Sequence, residues 1–224
     1  DQHMSNFDLI DYLSSTKRES TNGFPEIPSL KCLGEENQIS IAKLREQLSV
    51  ARSYGFVNVQ PRTGITLLPY SFAPAVRHSL AYALSIDRRY FEDFSDLRRH
   101  VEANYWYQAV SELEPQDLEC LKGLIKQAER KLESNPPQLP HQEHRDLHMT
   151  IYGKLDNVFV VGLLEAYWDA YEAVGLSRYT ELAYLKSVWR YHAQIVDALA
   201  AGDADQGYRL LLEHMDLIKD IPSG

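Results

Sequence analysis

Apolar positions recur at helical spacing over most of this chain. Phe7, Leu9, Ile10 and Leu13 predict a short amphipathic helix opening at Asn6 or Asp8, ended by the polar run Ser14 to Gly23. Ile27-Pro28-Ser29 then sets a helix start, with Ser29 as N-cap and Leu30 and Leu33 on the buried face. Ser40 caps the next helix, in which Leu44, Leu48 and Ala51 are core-spaced as far as Tyr54, and Gly55 stops it. The period then changes to two. Phe56 to Val59 alternates, Pro61-Arg62-Thr63-Gly64 turns, and Ile65 to Leu68 returns, which predicts a β-hairpin. Two helices joined by a few residues and followed by a hairpin outline a winged helix-turn-helix. Past Pro69 strand signals cease. Helices are predicted over Pro74–Ser85, Arg88–Leu113, Pro115–Leu132, a segment opened by Pro140, Asn157–Ala173, Arg178–Ala200 and Asp203–Ile218. On the long one, Phe91, Phe94, Leu97, Val101, Tyr105 and Ala109 form the expected inward stripe. The fold class is therefore mainly α: an N-terminal winged helix-turn-helix with a small hairpin, then an antiparallel all-α bundle of six or seven helices.

Charge is distributed unevenly between these parts. The net charge is −9, of which residues 1–69 contribute −1, from seven Lys and Arg against eight Asp and Glu. Within them, Ser40 to Pro69 carries Lys43, Arg45, Arg52 and Arg62 against Glu46 alone, a local balance of +3. A basic segment on an acidic body suits a phosphate-facing surface, and an ordinary solvated helix face is its plainer reading. Apolar runs are too short to span a bilayer, the nearest being Val158 to Leu164. Cys32 and Cys120 imply no disulfide framework, so a cytoplasmic location is expected. Asp1 to Met4 reads as an expression remnant.

The candidate chemistry lies in the histidines. His144 and His148 in His141-Gln142-Glu143-His144-Arg145-Asp146-Leu147-His148 fall one helical turn apart on one face. Such a pair is more commonly solvated or hydrogen-bonded than metal-bound. His192 and His214 change the weighing, because they stand ten residues before and twelve after Gly202, where two helical runs break. Folded as an antiparallel pair, those arms bring both imidazoles to similar height, giving four histidines on three helices. Imidazole suits zinc, copper, nickel and iron.

Ile27-Pro28-Ser29-Leu30-Lys31-Cys32-Leu33 through Ser40-Ile41-Ala42-Lys43-Leu44-Arg45-Glu46-Gln47-Leu48, with Tyr54-Gly55-Phe56-Val57 and Pro61-Arg62-Thr63-Gly64-Ile65, resembles the DNA-binding domain of GntR-family bacterial regulators. The resemblance implies that Lys31, Ser40, Lys43, Arg45, Arg62, Thr63 and Gly64 face DNA. The chain departs from the family at Leu30-Lys31, where Glu-Arg is usual, and at Ile41, where Arg is usual, so of three family arginines only Arg45 is kept. Lysine neutralises a phosphate but cannot form the bidentate fork with guanine. From Pro74 to Met215 the chain resembles the all-helical ligand-binding domain of the FadR subgroup, called FCD, on Asp96-Leu97-Arg98-Arg99-His100-Val101-Glu102, Asp156-Asn157 and the His192-to-His214 hairpin. Metal-binding members use an Asp and a His four apart plus two later histidines. That resemblance places His148, His192 and His214 on the histidine positions and His144 where the Asp stands. The exchange keeps a ligating atom, removes one negative charge and favours softer or later transition metals.

These readings imply three regions: the remnant at 1–4, a DNA-binding domain at 5–70 and a metal- and effector-binding domain at 71–224. The expected function is a ligand-responsive transcriptional regulator that binds operator DNA as a homodimer, with a small organic acid at a divalent ion held by His144, His148, His192 and His214. Zinc comes first, with nickel or iron as alternatives. Arg98 would clamp the acid, its plainer role being an ion pair with Glu102 or Asp96. Tyr105, Trp106, Tyr152, Trp168, Tyr171 and Trp189 could wall the pocket or simply fill the core. A metalloenzyme or a metal sensor using the same four histidines is the alternative. No catalytic residue is assigned: Glu143 is the one candidate base, and its neighbour His144 faces another side of the helix.

Overall fold

The computed structural model describes residues 7–16, 25–61, 64–175 and 181–216. The chain divides into two compact units, 1–75 and 76–224.

In the first unit, short polar side chains start each helix. Asp8 accepts from the Ile10 and Asp11 amides to open α1 (Leu9–Ser15), Ser29 Oγ accepts from Cys32 N–H to open α2 (Leu30–Asn37), and Ser40 Oγ accepts from Lys43 N–H to open α3 (Ile41–Ser53). Gln38 takes the left-handed conformation, φ 53°, that ends α2. Gln47 on α3 ties down α1 by accepting from Leu9 N–H and donating to the Phe7 carbonyl. Gly55, at φ 72°, ends the turn after α3, and a Cβ there would meet Pro74 Cγ at 2.8 Å. The hairpin forms as β2 (Val57–Gln60) and β3 (Gly64–Leu67), with Val57 opposite Leu67 and Gln60 opposite Gly64. One strand went unforeseen: β1 (Glu26–Ile27) pairs antiparallel with β3, making the sheet order β1-β3-β2. Two residues ahead of a proline are too few to show a period of two. Leu9, Leu33, Leu44, Ala51, Val57 and Leu67 pack as the core of this unit.

Among the described residues seven helices follow, beginning with α4 (Ala73–Ile86). The others are α5 (Tyr90–Ser111), α6 (Pro115–Glu133), α7 (His141–Tyr152), α8 (Val158–Gly175), α9 (Leu182–Ala200) and α10 (Ala204–Asp216). Pro115 occupies the first position of α6, where its missing N–H costs nothing. Asn157 Oδ1 accepts from the Phe159 and Val160 amides to cap α8, while its amide donates to Tyr105 Oη. Gly202, at φ 75°, turns α9 into α10, and Asp203 caps the latter through Gln206 N–H. The main core combines Trp106, Leu121, Ala128, Leu147, Leu164, Val188, Ile195 and Leu211. Phe91, Tyr167, Trp168 and Tyr171 form a smaller aromatic cluster beside it.

The inward face of α5 differs from the sequence expectation. Phe91 and Ala109 are buried as anticipated, but between them the enclosed positions are Ser95, Arg98, Glu102 and Trp106, while Leu97 is 44% exposed. The stripe is rotated because Arg98 and Glu102 neutralise one another inside the bundle. A periodicity reading assigns both charges to solvent.

Candidate metal centre

Three helices supply the four histidines. His144 and His148 project from successive turns of α7, His192 from α9 and His214 from α10 across the Gly202 turn. Ring centroids lie 4.4 Å apart for His192 and His214, 4.7 Å for His144 and His192, 5.2 Å for His144 and His148, and 5.3 Å for His148 and His192. One nitrogen from each ring falls within 4.8 Å of the other three, so the four could hold a metal ion. All four side chains are buried at the site, His144 included, although His144 as a whole residue is intermediate in exposure.

A polar chain from α5 orients the cluster. Glu102 Oε1 lies 3.0 Å from His148 Nδ1, so that nitrogen carries the proton and donates, which leaves Nε2 as a lone-pair donor for a metal. Glu102 Oε2 lies 3.3 Å from Arg98 Nη1, and Tyr152 Oη donates to the Glu102 backbone carbonyl. The Arg98 guanidinium also sits 4.7 Å from the Tyr167 ring centre and 5.2 Å from that of Trp168. Burial pushes the Glu102 carboxyl up, but Arg98 and His148 outweigh it and hold the pKa below the ordinary value. For Arg98, burial works against the charge and Glu102 overcomes it.

Burial drives His144, His192 and His214 well below the ordinary imidazole range, with Arg98 and neighbouring histidines adding to the effect. His148 is lowered by burial too, against the opposing pull of Glu102. Neutral imidazole is the form that ligates a metal. His144 Nε2, His148 Nε2, His214 Nδ1 and both His192 nitrogens are enclosed and have no hydrogen-bond partner. An unpartnered buried polar group costs about 1–3 kcal/mol, so five such atoms at one point mark a site fitted to a ligand rather than a finished core. The donor set, all borderline nitrogen, fits a divalent transition metal.

Beside the histidines is a small cavity, open to the centre of a water molecule over about 10 Å³ and lined by Arg98, His144, His214 and the rings of Tyr167, Trp168 and Tyr171. Trp168 packs 4.6 Å from His144 and 4.5 Å from His148. Of the other aromatic residues, Trp189 sits 5.1 Å from His192, whereas Trp106 donates to the Ala204 carbonyl and belongs to the core. Glu143 points away from the cluster and pairs with Lys131 at 2.7 Å. Sequence reasoning gave Glu102 no role beyond pairing Arg98. Its signal was there: a carboxylate one turn from an arginine on a helix that has to bury a face.

In the first unit, Lys43 and Arg45 are exposed on α3, and Lys31 is exposed on α2 with Glu35 at 4.0 Å. Ser40 caps α3 and Gly64 opens β3, whereas Arg62 and Thr63 lie outside the described residues.

The family model for the FCD domain matches residues 93–217, over half of the chain and the whole of the histidine site. The chain belongs to the FCD domain family. FCD-family chains on this fold are GntR-type transcriptional regulators, not enzymes. Among solved structures, the FCD chain is similar to Streptococcus agalactiae GntR, with a TM-score of 0.66 at 15% identity over 94% of this chain and 95% of that one. It is also similar to E. coli McbR/YncC, with a TM-score of 0.53 at 21% identity over 88% of this chain and 87% of that one. At such identities the likeness is one of fold. No curated protein sequence matches the FCD chain. Among its described residues, no helix is long and apolar enough to cross a membrane.

Proposed function

We propose that this FCD protein binds operator DNA as a homodimer and responds to a small carboxylate bound at a divalent transition metal held by His144, His148, His192 and His214. The observation that carries this reading is the convergence of four imidazoles from three helices, with five enclosed nitrogens left without partners. When bound, the ion supplies a positive centre and a coordination position for a carboxylate oxygen. Zinc, nickel and iron all suit the donor set. His148 is held in place by Glu102, and His144, which lines the cavity beside Arg98 and whose Nε2 has no hydrogen-bond partner, is the ligand whose place an effector oxygen can take. Arg98 lines the same cavity, and its Nε is enclosed with no hydrogen-bond acceptor, so it can meet the acid. On the DNA side, Lys31, Ser40, Lys43, Arg45, Arg62, Thr63 and Gly64 form the proposed contact set. Exposure of Lys31, Lys43 and Arg45 supports it. An acid regulates DNA binding only to the extent that it prefers one arrangement of the dimer over the other.

Metal analysis of the wild type against a His192→Ala/His214→Ala variant tests the centre. About one divalent ion per chain is expected in the wild type and none in the variant; full occupancy of the variant would overturn the assignment. Thermal shift of the wild type against mono-, di- and tricarboxylates, with and without chelator, tests the effector. Stabilisation confined to the metal-loaded protein is the expected result.

A further inference from the structure

The charge balance of the site restricts which acid fits it. Histidine ligands are neutral, so four of them contribute no negative charge. The nearest carboxylate, Glu102, is already committed to the Arg98 guanidinium 3.3 Å away, and the two side chains are 0% and 2% exposed. The cavity walls are aromatic. A divalent cation among these groups therefore brings two positive charges into an enclosed space in which, among the described residues, no uncommitted carboxylate balances them, which is unfavourable. We infer that the site takes a compact dianion, such as a short dicarboxylate, and that metal and dianion bind together. This rests on the metal-dependent regulator reading given above. One carboxylate would face the histidines, and the other would meet Nε of Arg98, which is enclosed and has no hydrogen-bond acceptor. With Arg98 and Glu102 cancelling, the ion and the dianion then sum to zero. A monocarboxylate would leave one positive charge buried. The cavity has room for about one water, so a compact acid enters only as His144 gives up its place at the ion.

A dianion should therefore raise metal affinity and a monoanion scarcely do so, since coupling between two ligands is reciprocal. The test is titration of Co²⁺ into metal-free full-length protein in competition with a chromophoric chelator. Free metal is buffered, and acetate and malonate are compared at equal concentration and ionic strength. Malonate is expected to tighten Co²⁺ binding about tenfold or more, and acetate by less than about threefold. His144→Asp adds one negative charge to the donor set, so in that variant acetate should act as strongly as malonate. If His144→Asp does not fold, the wild-type comparison decides alone. Equal tightening by the two anions in the wild type would overturn the dianion inference and leave the regulator reading intact. Metal-loaded wild type that no carboxylate of either charge affects would overturn both.

Discussion

Replacing Glu102 by Leu leaves Arg98 as a buried charge without its counterion. Breaking a buried pair from one side costs about 3–5 kcal/mol. The Tyr167 and Trp168 ring faces at 4.7 and 5.2 Å are kept in the variant and go on stabilising the stranded guanidinium, which puts the ionic loss near the lower end. His148 Nδ1–H also loses its acceptor, at about 1–3 kcal/mol. The single variant should therefore lose about 4 kcal/mol. In Arg98→Met/Glu102→Leu the stranded charge is gone and only the His148 term remains, so the double variant should lose about 1–3 kcal/mol and be the more stable of the two. Urea unfolding in chelator isolates these terms from metal binding. Trp106, Trp168 and Trp189, the protein's three tryptophans, all lie in the second unit, so intrinsic fluorescence follows that unit alone. At about 2 kcal/mol per M, the single variant's midpoint should fall by about 2 M. Both variants lose the carboxylate that orients His148, and metal affinity should drop about 10- to 100-fold in each. A double variant as unstable as the single, or a single variant within about 1 kcal/mol of wild type, would refute the account of Arg98 and Glu102 as a mutually neutralising pair.

Three further outcomes are expected. Because burial lowers the pKa of His144, His192 and His214, their rings are neutral in both states above the unfolded value of about 6.5. Below it the unfolded chain takes up protons that the folded chain refuses, so metal-free protein should lose stability as pH falls, by up to about 1.4 kcal/mol per pH unit for each ring. A flat profile between pH 7 and 5 in chelator would contradict this. Gly207→Ala ordinarily gains up to about 1 kcal/mol in a helix, but here the new Cβ would meet Cζ2 of the fully buried Trp106 at 2.7 Å. Overpacking should win by about 1–2 kcal/mol and lower the melting temperature, whereas a rise would show that Trp106 can yield. Arg45→Ala should weaken operator binding and reduce the slope of log affinity against log salt by about one, as read by fluorescence anisotropy across salt concentrations; an unchanged slope would remove Arg45 from the contact set.

Local chemistry was legible in the order of residues. Ser29 and Ser40 start their helices, Gly55 and Gly202 turn the chain at positive φ, and Pro115 opens a first turn, because each of these acts on backbone groups within a few positions of itself. The i,i+4 spacing of His144 and His148, and the placing of His192 and His214 about a turning glycine, likewise needed only helix geometry. Tertiary packing decided the rest. Which way α5 faces depended on Arg98 and Glu102 cancelling each other's charge inside the bundle, which periodicity cannot register. Glu102 became the support of His148 only when α5 and α7 came side by side, 46 positions apart in the chain. β1 existed only once β3 offered a partner edge. The four imidazoles acquired their shared, enclosed setting from the aromatic rings folded around them, since desolvation belongs to the packed molecule and to no residue alone.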